Sequence, residues 1–87
     1  MGPDEELLEF PCDFPVKVMG RDQEQFRQAV RDIVQRHFEL GKTTISEQSS
    51  RNGRFVSLTV TVSAVDRAGL DALYTELSAS EHVLIAL

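Results

Sequence analysis

Gly53-Arg54-Phe55-Val56-Ser57-Leu58-Thr59-Val60-Thr61-Val62 is the stretch whose reading decides the fold. Apolar residues recur at every second position, Val56, Leu58, Val60 and Val62, with Phe55, Ser57, Thr59 and Thr61 between them. A period of two in residues that suit a pleated surface predicts a long central strand with one buried and one mildly polar face. The residues just before it, SSRNG at 49–53, predict a turn, and Asn52-Gly53 is a strong hairpin signal. Thr43–Gln48 is β-branched at its start and polar later, with Ile45 its one strongly apolar residue, and predicts an edge strand.

Outward from this hairpin, Asp13–Met19 (DFPVKVM) alternates Phe14, Val16 and Val18 against Pro15, Lys17 and Met19 and predicts a strand that Gly20 ends. Pro15 has no ladder donor, so pairing is expected to be incomplete on one side there. Asp22 is placed to cap a helix, with Gln25 in capping-box register. That helix is expected from about Gln23 to Phe38, with a stripe of Phe26, Ala29, Val30, Ile33, Val34 and His37 or Phe38, and with Gly41 as its stop. Asp66 caps a second helix with a stripe of Leu70, Leu73, Tyr74 and Leu77, closing at Ser78–Glu81. Gly69 in its first turns costs on the order of 1 kcal/mol against Ala, which suggests a close approach to the sheet. His82–Leu87 predicts a final strand.

The order β-α-β-β-α-β, with right-handed crossovers, predicts an α+β ferredoxin-like fold: a four-stranded antiparallel sheet with both helices on one face and the first and third strands in the middle. Alternation places Val16, Val18, Ile45, Leu58, Val60, Val62, Val83 and Ile85 toward the helices. It places Lys17, Met19, Thr44, Ser46, Phe55, Ser57, Thr59, Thr61 and Leu84 on the open face. Residues 1–12 read as an acidic arm pinned by Leu7, Leu8 and Phe10, and residues 13–87 as one domain.

Eighty-seven residues with 41% apolar and 26% charged content make one soluble globular domain. No apolar run approaches the roughly 20 residues of a bilayer span, and the acidic start lacks the features of a signal peptide. One cysteine, Cys12, makes no internal disulfide and fits a reducing cytoplasm. The net charge is −5, and residues 1–13 hold Asp4, Glu5, Glu6, Glu9 and Asp13 with no Lys or Arg. The remainder carries nine acids and nine bases, so it is neutral. Neither nucleic acid nor an anionic membrane is favoured by such a surface.

Four stretches carry a resemblance: LLEFPCDFPVKVMG at 7–20, IVQRH at 33–37, FVSLTVTV at 55–62 and ALYTEL at 72–77. In this order they resemble the YbeD family of small bacterial cytoplasmic proteins of unassigned function, over residues 7–87. The resemblance implies a ferredoxin-like fold similar to the ACT-type regulatory domain of phosphoglycerate dehydrogenase, and with it a regulatory or small-molecule-sensing role. It supplies no catalytic residues.

ACT-type domains bind amino acids near the turn after the first strand, which here is Gly20-Arg21-Asp22. Gly20 would admit a ligand to the backbone, Arg21 would pair with a carboxylate, and Asp22 would attract an ammonium group. The plainer reading is a turn, a solvated arginine and a helix cap. Acylphosphatases share the topology, but the cradle pattern is missing here and Asn52 lies in a hairpin turn. RNA-recognition motifs stack bases on aromatic residues of the central strands; here Phe55 has no second aromatic beside it, and the chain is acidic. His37, His82 and Cys12 lack metal-ligand spacing, and His37 suits a helix C-terminus. Arg27 and Arg31 read as a solvated helix face. The resulting expectation is a non-catalytic regulatory or protein-interaction module with no cofactor or metal. Its contact surfaces would be the open face, at Phe55, Met19 and Leu84, or the edge strand at 43–48. An amino-acid sensor is the alternative, and a homodimer is compatible with the pattern.

Overall fold

The computed structural model describes residues 9–87. Leu7 and Leu8, expected to pin the arm, lie outside them, whereas Phe10 packs against the core. Strand β1 (Cys12–Arg21) pairs along its whole length with β3 (Phe55–Ala64), from Cys12 opposite Ala64 to Arg21 opposite Phe55. The edge strand β2 (Thr44–Ser49) flanks β3, and the short β4 (Ile85–Ala86) flanks β1. The order is β2-β3-β1-β4 with every neighbour antiparallel, so β1 and β3 are central and the ferredoxin-like arrangement holds. Pro15 faces Thr61 on β3, and on the other side β4 covers only the far end of β1. The missing donor therefore falls where no neighbour needs it.

Gly20 does not end β1, which runs on through Arg21. The first helix, α1 (Glu24–His37), starts one residue later than expected: Gln23 is the N-cap, and no side chain bonds to the cap. The Asp22 carboxylate is drawn instead to the Arg27 guanidinium, 2.5 Å away. At the other end Phe38 turns extended while its N–H still bonds to the Val34 carbonyl, and its ring packs on the core. The helix therefore ends before Gly41, which lies in a separate single turn at Leu40–Lys42.

The second helix, α2 (Arg67–Ala79), is capped as expected, with Asp66 Oδ1 accepting from the Gly69 N–H at 2.9 Å. Gly69 does not press on the sheet. A side chain there would meet Asp66 and the Phe38 ring at ordinary contact distance. Between sheet and helices lie Val16, Val18, Val56, Leu58, Val60, Val62 and Ala64, against Phe26, Val30, Ile33, Val34, Leu70, Leu73 and Leu77. No buried polar or charged residue interrupts this core among the described residues.

The last strand departs from strict alternation. Residues 81–82 form a turn and Leu84 sits on a bend, so Val83 and Ala86, three positions apart, both pack on the core. Ile85 lies opposite Met19 and Ala86 opposite Val18. Ile85 therefore takes the open face and is 49% exposed, not buried as expected, because one added residue at the bend inverts the faces beyond it.

Candidate interaction surface and the corner after β1

Gly20, Arg21 and Asp22 come together where β1 enters α1, with three different surroundings. Gly20 is buried, and an added Cβ would lie 2.3 Å from Phe26 Cδ1. The glycine is where the Phe26 ring seats on the sheet, so the space a ligand would need on that side is filled by the protein itself. Asp22 donates its N–H to the Arg54 carbonyl at 2.9 Å, and its carboxylate is engaged by Arg27. Arg21 is exposed, in register with Phe55. A cavity of about 400 Å³ opens there, lined by Arg21, Asp22, Gln23, Gly53, Arg54 and Phe55.

Arg27 is the hub of this corner. Its Nε and Nη2 donate to the two Glu47 carboxylate oxygens at 2.8 and 2.9 Å, while Nη2 also reaches Asp22. A planar guanidinium suits this fork-to-fork geometry. The hydrogen bonds from Arg27 hold the Glu47 carboxyl below the usual carboxylate range, with Arg31 adding attraction; in return the guanidinium is held even more firmly protonated. Arg27 is therefore not the solvated residue expected from its helical position. It ties α1 to the loop after β1 and to the edge strand β2.

A second hub joins the helices. Glu76 on α2 accepts from Arg36, and its Oε1 lies 2.7 Å from His37 Nε2. Contact with His37 first, and Arg36 second, lowers the Glu76 carboxyl below its ordinary range. Sequence reasoning placed His37 at the helix end but missed Glu76, which lies 39 positions away. The Tyr74 phenol nearby on α2 is pushed up by burial. Among the described residues no His, Cys, Asp and Glu group has the spacing to hold a metal, and Cys12 is a half-buried free thiol. Asn52 is occupied within the hairpin: its Oδ1 accepts from Ser50 Oγ and from the Arg54 N–H, while Gly53 takes φ +70°.

The open face is Ser- and Thr-rich along β3, with an apolar corner at its β4 side. Met19, Leu84 and Ile85 are 42%, 52% and 49% exposed, and Leu87 is 73% exposed. Phe55 is half-buried and lines, with Met19, Val56, Ser57 and residues 48–50, a cavity of about 220 Å³. The two free edges differ. β2 presents Thr44, Ser46, Glu47, Gln48 and Ser49, with Ile45 its one part-buried residue, the polar and charged edge that discourages pairing. β4 presents no charge at all. The apolar edge is thus β4, and not the 43–48 strand.

A four-stranded antiparallel sheet in this order, with both helices on one face, defines an α+β domain of ferredoxin-like topology. The same topology is found in the solution structure of the C-terminal domain of the MgtC protein from Mycobacterium tuberculosis, with a TM-score of 0.67, 20% identity, and coverage of 92% of this chain and 88% of that one; at that identity the likeness concerns the fold alone. The chain belongs to the family described as "Protein of unknown function (DUF493)", whose model matches residues 5–87. Its relatives include the UPF0250 protein of Nitrosomonas europaea, 42% identical over 97% of this chain and 95% of that protein. A UPF0250 protein of a Janthinobacterium species is 42% identical over the whole of this chain and 97% of its own length. This is the family that the four sequence stretches resemble. No helix among the described residues is long and apolar enough to cross a membrane.

Proposed function

We propose that this chain is a non-catalytic protein-interaction module that works through the apolar corner of its sheet. The observation that carries this reading is the grouping of Met19, Leu84, Ile85 and Leu87, all more than two-fifths exposed, around the uncharged β4 edge. Contiguous exposed apolar surface on a small domain marks a contact site. The charged groups at the two hubs are engaged in pairs that join elements of the fold, at Arg27 with Asp22 and Glu47 and at Glu76 with Arg36 and His37. The amino-acid-sensor alternative has less support, since Phe26 covers Gly20 and Arg27 holds Asp22. A photo-crosslinking residue placed at Met19 is expected to capture protein in cells where the same residue at Gln35, on the exposed side of α1, does not. Equal yields from the two positions would refute this use of the corner.

A further inference from the structure

We infer that β4 is a self-pairing edge: two copies join antiparallel through residues 85–87 to form one eight-stranded sheet. This deepens the reading of the corner as an interaction surface by naming its partner as a second copy of the chain. The argument starts from register. Lys17 and Leu87 exchange both backbone hydrogen bonds, at 3.0 and 2.7 Å. Antiparallel alternation then turns the N–H and C=O of Ala86 away from β1, toward the open edge. An outward donor and acceptor on a single residue are what a two-fold axis requires, because Ala86 can exchange both bonds with its own copy.

That axis fixes the neighbours. With Ala86 opposite Ala86 of the second copy, Ile85 falls opposite the other copy's Leu87, and Leu87 opposite its Ile85. These are non-hydrogen-bonded pairs, whose side chains approach most closely, about 4.5–5.5 Å between Cβ atoms. Both residues are exposed in the single chain, and Met19 lies beside Ile85 on the same face. Two apolar pairs would therefore cover the side chains that the bend at Leu84 turns outward. The methyl of Ala86 at the axis keeps the inner face clear for the two α2 helices.

Charge does not oppose this pairing. Residues 83–87 hold no charged side chain, so self-pairing opposes no like charges. The β2 edge would bring Glu47 near its own copy. Met19, Leu84, Ile85 and Leu87 together expose roughly 400 Å², about half of the surface that each partner contributes to a standard interface. A contact of this size falls at the low end of interface sizes, which fits a weak and reversible dimer.

Sedimentation equilibrium of the purified full chain from about 5 µM to 1 mM tests this, with amide exchange at Ala86 as a local probe. The expected result is a reversible monomer–dimer equilibrium, with the Ala86 N–H protected more as concentration rises. Ile85→Lys should weaken dimerisation at least tenfold. Ala86→Pro should abolish it while keeping the melting profile, since that N–H serves no bond within the chain. A strictly monomeric protein at 1 mM would overturn the inference and leave the broader proposal standing if crosslinking at Met19 still captures another protein. A dimer that survives both substitutions would place the contact elsewhere and overturn it equally.

Discussion

Replacing Gly20 by Ala separates a packing role for this glycine from a ligand-binding one. The new methyl would lie 2.3 Å from Phe26 Cδ1, 2.5 Å from Cε1 and 2.7 Å from Cγ. Carbon atoms rest at about 3.5–4.0 Å, so the ring must retreat by more than 1 Å. Cγ is the root of that ring and Phe26 is 1% exposed, so no rotamer swings it clear. Overpacking of this kind costs about 1–3 kcal/mol. For a domain of this size each kcal/mol moves the melting temperature by about 4–8 °C, which puts a 2 kcal/mol loss at roughly 8–16 °C. Urea unfolding of four proteins would measure it: the wild type, Gly20→Ala, Phe26→Leu and the double variant. The smaller Leu leaves room for the methyl, so Gly20→Ala should cost much less in that background, with a coupling of at least about 1 kcal/mol. A Gly20→Ala protein within 0.5 kcal/mol of wild type, or strict additivity in the double variant, would refute the account of this contact.

Other expectations follow from single contacts. Asp66→Ala removes the side-chain acceptor for Gly69 and should destabilise by about 1 kcal/mol in thermal melts, whereas Asp66→Asn should be nearly silent. Glu76 has a carboxyl lowered in the fold, so its contribution is full above the ordinary carboxylate range and is lost as pH falls through the lowered value. The melting temperature of wild type should exceed that of Glu76→Gln at neutral pH, and the gap should close on acidification; a gap that widens toward acid would contradict this. Arg27→Met should speed amide exchange along Thr44–Ser49 more than along β1, because it releases Glu47 from α1. A thermal-shift screen against the amino acids should leave the melting temperature unmoved, and a reproducible shift lost in Arg21→Ala would revive the sensor reading.

The parts of the fold that were legible in the sequence are those written in local periodicity. The alternation at Phe55–Val62, the Asn52-Gly53 turn and the Asp66 cap act over two to four residues, and the structure has each of them where expected. What sequence reasoning missed depends on partners that only the fold brings close. Asp22 reads as a cap until Arg27 competes for its carboxylate, and Arg27 reads as solvated until β2 carries Glu47 alongside it. Phe26 explains Gly20 only once α1 lies across β1. The exposed Ile85 came from a bend of one residue at Leu84, which period-two counting cannot register. The apolar corner was half visible: Met19 and Leu84, with Phe55, were expected on the open face, whereas Ile85 was expected toward the helices and Leu87 was not singled out.

The central position of β1 also matters before the chain is complete. Its partner β3 ends at Ala64, so after Arg21 has been added, residues 22 to 64, 43 in all, must follow before the ladder can close. At about 5–20 residues per second this takes roughly 2–9 s. Until that ladder is complete, part or all of β1 is an unpaired, apolar segment holding Phe14, Val16, Val18 and Met19. The two residues that interrupt its hydrophobic run are Pro15, which cannot donate to a foreign ladder, and Lys17, whose charge opposes stacking between chains. The same two residues that look like minor defects in a finished sheet are gatekeepers for the nascent one, guarding the strand that has longest to wait.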